Sequence, residues 1–332
     1  MTFDVVCGNP PYNNDIYIDF VTLGIRLSKS YCLWITPSKF WAKTTSDKDI
    51  SFRQLHDKYG TDYVVYRDCK EIFNDISEPG GVAYYLLQKF KKVTTFNIEC
   101  RHKNCLAFQS DWEIHNDLTF LPLSVLSILD KIGISDFKNK LNHNVSYFID
   151  HTFNGSSDSR LPIKIFNGKT LTGYTSMDNI RHCQYINKYK CIQAHTCGSG
   201  AFQTDSTGRF LGQAPIYVLK ENEVGRGFHH LKFFDTELEA KNFVAFMSTK
   251  LINFLYILGV CGTCNSKEFY RYIPDITDFS IKYTDDVVDT GTDVDGDGFY
   301  TNNLNEHCRS LYKMFNLTSD EINLVESTIR SR

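Results

Sequence analysis

The first 37 residues constrain the fold more than any other feature. Phe3-Asp4-Val5-Val6-Cys7 is a short apolar run stopped by Gly8 and the pair Pro10-Pro11, the pattern of a buried strand ending in a rigid loop. Ile16, Phe20, Leu23 and Leu27 then fall at helical spacing over 16–29. Tyr31–Ile35 is a second apolar run, halted before Pro37. Two short strands joined by a helix lie parallel, because a parallel pair needs a crossover of this length. The alternation continues with a helix expected over Ile50–Lys58 and strands over Tyr63–Tyr66, Val82–Leu87 and Thr94–Cys100. The expectation is an α/β domain with a parallel sheet.

From about Leu123 the texture changes. Leu123–Ile132 repeats helically and reads as a connector. Residues 145–275 are rich in Gly, Asn, Thr, Tyr and Phe, with short strand-like runs between turn signals. One helix is expected over Thr236–Leu258. Another over Thr318–Arg330 has an N-cap at Thr318 or Ser319 and Asp320 and Glu321 in its first turn. A length of 332 residues suits two domains. The boundaries expected are 1–110 for the α/β part, 111–150 for a helical connector, 151–280 for a mixed α+β domain, and 281–332 for an acidic loop and closing helix.

Apolar residues at 42% and charged residues at 23% match a globular chain with a sizeable core. No uncharged apolar run of about 18 residues is present. No basic segment followed by an apolar one opens the chain, so a soluble, cytoplasmic protein is expected. A net charge of −3 argues against indiscriminate nucleic-acid binding but leaves room for a local basic groove. Eleven cysteines without a signal read as free thiols, and Cys261 and Cys264 lack the second pair a zinc site would need. Asp293, Asp295, Asp297 and Gly298 look like half a calcium loop. Its twelfth position is Leu304, which cannot ligate, so no metal is expected.

The chemistry is concentrated in Asn9-Pro10-Pro11-Tyr12, directly after the first strand. Open α/β sheets place ligands at the carboxyl ends of their strands. An amino group conjugated to an aromatic ring is a poor nucleophile. Two acceptors, the Asn9 side-chain oxygen and the Pro10 carbonyl, can hold its two N–H groups and favour a pyramidal nitrogen whose lone pair attacks a methyl electrophile. The prolines preorganise those acceptors. Tyr12 offers a flat face for stacking a planar substrate.

These residues resemble the catalytic half of adenine-N6 DNA methyltransferases of the restriction–modification type. Ile35-Thr36-Pro37-Ser38-Lys39-Phe40 resembles that family's next strand and loop. Phe73 through Tyr85, with Gly80-Gly81-Val82-Ala83-Tyr84-Tyr85, is similar to its segment beside the base pocket. Asp235–Lys250 resembles the helix closing its target-recognition region, Tyr272-Ile273-Pro274 and Phe279 through Asp285 its exit segment, and Leu317–Ile322 its terminal helix. The resemblance implies a partial Rossmann-like methyltransferase sheet followed by a target-recognition domain, with S-adenosylmethionine as donor and double-stranded DNA as partner. It implies catalytic roles for Asn9, Pro10, Pro11 and Tyr12 and a base pocket with Phe40, Phe73 and Tyr84. Asp4 and Gly8 are the candidates for touching the cofactor. In the second domain Lys188, Lys190, Arg209 and Arg226, with His229 and His230, stand among aromatics. That interleaving suits phosphate contact and stacking.

The glycine-rich cofactor motif that the family places before its catalytic tetrapeptide does not precede Asp4, so a second methyltransferase subunit is expected to carry it. Cys197-Gly198-Ser199-Gly200-Ala201-Phe202 imitates the motif but lacks the acid before it and a helix after it; it is expected in the recognition domain. The same tetrapeptide occurs in enzymes resembling methyltransferases of glutamine side chains or of guanine in RNA, and the long C-terminal region favours DNA. The alternative from another class is a non-catalytic, methyltransferase-like DNA-binding or interaction protein.

Overall fold

The computed structural model describes residues 1–37, 60–66, 72–73, 81–90, 95–101, 108–113, 123–133, 141, 147–194, 201, 203, 205–260, 267–275 and 304–330. The helix expected over Ile50–Lys58, the Cys261–Cys264 pair and the Asp293–Gly298 loop lie outside these residues. By contacts the chain divides into Met1–Ile128 with Phe202–Phe210 and Val260–Thr263, and Leu129–Ala201 with Leu211–Gly259 and Cys264–Arg332.

The first unit contains β1 (Phe3–Gly8), α1 (Ile16–Leu27), β2 (Ser28–Pro37), β3 (Gly60–Tyr66), β4 (Val82–Gln88), β5 (Thr95–Arg101) and β6 (Phe108–Glu113). They form one six-stranded sheet in the order β1-β2-β4-β3-β5-β6. The expected crossover is present, with β1 parallel to β2 and Val5 opposite Tyr31. The wholly parallel sheet is not. β4 runs antiparallel to both β2 and β3, and β6 runs antiparallel to β5, while β3 and β5 are parallel. The correction has a simple cause: short apolar runs are the same for either direction, and only the connections decide it.

α1 forms where the helical spacing of Ile16, Phe20, Leu23 and Leu27 placed a helix. Its buried residues are Tyr17, Ile18, Val21, Gly24 and Ile25, whereas Ile16, Phe20 and Leu23 are exposed. The helix carries two apolar stripes, and the sheet covers one of them. Its C-terminal end is held by the Lys89 ammonium, which donates to the carbonyls of Ile25 and Ser28 at 2.8 Å each, a favourable place for a cation.

α2 (Leu123–Lys131) follows. The second unit holds β7 (Ile163–Asn167), β8 (Thr170–Thr175), β9 (Tyr189–Ala194), β10 (Ile216–Leu219), β11 (Glu223–Gly225) and β12 (Phe228–Phe234). These make two three-stranded sheets, β10-β9-β12 and β11-β7-β8. Its helices are α3 (Glu237–Ser248), α4 (Lys250–Gly259), α5 (Leu304–Met314) and α6 (Ser319–Thr328). The single helix expected over Thr236–Leu258 is a pair bent by 71°. Thr249 between them is extended, and its hydroxyl donates to the Phe246 carbonyl at 2.8 Å. Asn253 fastens the bend by donating to the carbonyls of Met247 and Thr249 and accepting from the Gln213 amide. α6 begins at Thr318 with a capping box to Glu321, as the sequence implied. No single helix among the described residues is long and apolar enough to cross a membrane.

Candidate active site

β1 ends at Gly8, and the Asn9-Pro10-Pro11-Tyr12 loop leaves the sheet at the carboxyl ends of the parallel pair. Gly8 stands opposite Trp34 of β2. A Cβ on Gly8 would come 2.8 Å from Trp34 Cζ3, and one on Gly24 of α1 would come 2.2 Å from Trp34 Cζ2. One buried indole therefore fixes the spacing of β1, β2 and α1 at the root of the loop. Pro10 is buried, while Asn9 and Pro11 are exposed, so the loop is anchored through a proline and presents the carboxamide to solvent.

Tyr12 is half-buried, and its hydroxyl donates to Asn9 Oδ1 at 2.9 Å. A carboxamide oxygen has two lone pairs, so accepting from Tyr12 leaves Asn9 Oδ1 able to accept a second hydrogen bond. A 3₁₀ turn at Asn13–Asp15 follows, and Asp15 takes φ +59°, the left-handed conformation that Asp tolerates better than most residues. That turn redirects the chain into α1.

Sequence reasoning missed Tyr85 and Thr36. Tyr85 is fully buried and faces Trp34 across the β2–β4 pairing. Burial pushes its phenol far above the usual range. A hydrogen bond with Thr36 opposes the shift, while Cys32 and Tyr12 add to it. Tyr85 is thus a neutral group within electrostatic reach of Tyr12. The signal available was the alternation along Val82–Gln88, which puts Tyr84 and Tyr85 on opposite sheet faces.

The remaining sequence candidates divide. Tyr84 is half-buried on β4, two strands from β1 and so about 10 Å away laterally. Phe73 is half-buried, and Phe40 lies outside the described residues. Gly8 packs closely against the Trp34 ring. Asp4 is at the far end of β1 from Asn9, roughly 16 Å along the strand, and pairs with Lys29 at 3.5 Å in full solvent. Cys197 through Gly200 lie outside the described residues.

Among the basic candidates, Lys190 is corrected outright. It is 0% exposed, and its ammonium donates to the carbonyls of Ile186, Lys188 and Lys220 at 2.9, 2.6 and 2.9 Å. It fastens the loops around β9 and has nothing to offer a phosphate. His229 and His230 are also buried, their rings packed at a tilt against Tyr147 and Phe148. Lys188 is partly exposed and pairs with Asp235. Arg226 is half-buried and reaches the Phe153 carbonyl and Asn154 at 3.4 and 3.3 Å. Arg209 is held by Asp205 and Thr207; by contacts it belongs to the first unit, not to the second domain. The hydroxyl of Thr207 and the amides of Thr207 and Arg209 hold the Asp205 carboxyl down to about 2. No group of metal-ligating side chains occurs among the described residues.

No family profile and no curated protein matches the chain. Among solved structures, it is similar to a Type IIL restriction-modification enzyme, MmeI, determined in complex with DNA. The identity is 10% and the TM-score 0.42, over 98% of this chain and 56% of that one. A likeness this distant decides no chemistry.

Proposed function

We propose that this chain is the acceptor-orienting and target-recognition portion of an adenine-N6 DNA methyltransferase that works with a second subunit bearing the donor site. The observation that carries the reading is the Asn9 carboxamide, solvent-facing at the carboxyl end of β1 and oriented by the Tyr12 hydroxyl. The amino group of adenine is unreachable in stacked duplex, so the base must be flipped out. Its N–H groups would then meet Asn9 Oδ1 and the Pro10 carbonyl, and its ring the face of Tyr12. S-adenosylmethionine supplies an electrophilic methyl when bound. Lys188, Arg209 and Arg226 are the remaining phosphate candidates.

The test is tritium transfer from labelled cofactor to duplex DNA. The purified chain alone is expected to give background, because orienting only one reactant forfeits the near-attack advantage. A complex that transfers methyl to adenine should lose at least about 100-fold on Asn9→Ala. A complex whose transfer ignores Asn9→Ala sinks the catalytic reading and favours a non-catalytic DNA-binding role for this chain.

A further inference from the structure

The hairpin of α5 and α6 in the second unit borders a cavity of about 680 Å³, within the range of small-molecule sites. α5 ends at Asn316, whose φ of +51° is left-handed. The Asn316 amide donates to the Lys313 carbonyl at 3.1 Å and the Leu317 amide to the Tyr312 carbonyl at 2.9 Å, the two bonds of a Schellman turn. The turn brings α6 back, so that Leu317, Ile322 and Glu326 line the cavity together with Cys308 and Tyr312 of α5. Arg309 and Lys313 line it too. They are four residues apart, and so neighbours on one face of α5, and both are exposed. Among the described residues neither side chain makes a hydrogen bond or an ion pair. Glu326 is the one carboxylate in the described lining, and both its oxygens are taken. Oε1 accepts from the Tyr312 hydroxyl at 2.8 Å, and Oε2 from the Lys250 ammonium. The charge left uncompensated at the cavity is that of two cations.

We propose that this cavity binds a phosphate monoester with an apolar body, of which a nucleoside 5′-monophosphate is representative, with Arg309 and Lys313 on the phosphate and Leu317, Ile322 and Tyr312 along the body. The inference stands without the proposed methyl transfer, since every residue it uses belongs to the second unit. Charge selects the anion. Two free cations on one helix face are matched by a group carrying close to two negative charges, as a phosphate monoester does near pH 7; a single carboxylate would answer only one of them. The guanidinium of Arg309 adds a planar fork of donors suited to phosphate oxygens. Size and lining select the body. The cavity is far larger than a bare phosphate, and its remaining wall is apolar at Leu317 and Ile322, with Ile322 half-buried. Sites of this kind join a few placed polar groups to an apolar wall. A nucleic-acid backbone carries only one charge per phosphate and brings no apolar group to that wall.

The test is titration calorimetry on the full chain with uridine 5′-monophosphate, which lacks the exocyclic amino group that the Asn9 loop is proposed to hold. Saturable one-to-one binding with a dissociation constant below about 1 mM is expected. Uridine and inorganic phosphate, each offering half of the ligand, should bind at least about 10-fold more weakly. Arg309→Gln with Lys313→Gln should weaken the nucleotide more than about 10-fold by removing charge-assisted contacts, while Arg309→Lys, which keeps the charge, should stay within a few-fold of the parent. The melting temperature of the doubly substituted chain should stay within about 2 °C, as for other exposed positions. Four results would overturn the site: no saturation by the nucleotide, affinity indifferent to the double substitution, inorganic phosphate binding as tightly as the nucleotide, or a sharply lower melting temperature, which would assign both cations to holding α5. A short DNA duplex that binds through Arg309 and Lys313 where the nucleotide does not would give them to backbone phosphates and overturn it as well.

Discussion

Gly24→Ala tests whether one indole ties α1 to the root of the Asn9 loop. The substitution places a methyl 2.2 Å from Trp34 Cζ2, 3.0 Å from Cη2 and 3.2 Å from Val6 Cγ1. The first distance is far inside van der Waals contact, and Trp34 is 5% exposed with Gly8 on its other edge, so the ring has little freedom to yield. Overpacking of this kind costs about 1–3 kcal/mol. Alanine returns up to about 1 kcal/mol in helix propensity. The net expectation is a loss of roughly 1–2 kcal/mol, read as a lower urea midpoint at unchanged slope. A double-mutant cycle with Trp34→Phe isolates the contact. The smaller ring should relieve the clash, giving a coupling of more than about 0.5 kcal/mol. A Gly24→Ala protein as stable as the parent, or additive with Trp34→Phe, would refute the packing of Gly24 on the indole and release the loop from its dependence on Trp34.

Three further outcomes are expected. Tyr12→Ala should cost the methyl-transferring complex about 1–3 kcal/mol of base stacking. Tyr12→Phe keeps the ring but gives up the hydrogen bond that orients Asn9, worth about 0.5–1.5 kcal/mol; single-turnover rates separate the two, and a Tyr12→Phe complex slower than Tyr12→Ala would contradict both roles of this side chain. Lys190 has its pKa lowered to about 8 by burial, against the opposing pull of Glu223 and Glu221. Between that value and the unfolded 10.5 the unfolded chain binds more protons, so this group's contribution is fully present above the unfolded value and lost as the pH falls through the folded one. Lys190→Met should flatten that part of the stability-versus-pH curve measured by urea unfolding. Finally, Thr236→Ala removes the capping box of α3, in which Thr236 and Glu239 bond each other's backbone amides, and should cost about 1 kcal/mol by the same method.

Local physics was legible in the sequence. Proline and glycine punctuation set the ends of β1 and β2, and Thr318 with Glu321 announced the cap of α6, because these effects act within a few residues. The Asn9-Pro10-Pro11-Tyr12 tetrapeptide and its place after a strand were legible for the same reason. Tertiary structure decided what depends on distant neighbours. Strand direction came from the connections, which turned an expected parallel sheet into a mixed one. The buried stripe of α1 was chosen by Trp34, which admits the side carrying Gly24 and leaves Ile16, Phe20 and Leu23 in water. Lys190 read as a surface cation, since nothing in the residues around it reveals that a carbonyl 30 positions away, on Lys220, helps cage its ammonium. The bond from Tyr12 to Asn9 spans only three residues, yet it depends on how the buried Pro10 seats the loop on the sheet, which the side-chain types permit and the packed sheet beneath them imposes.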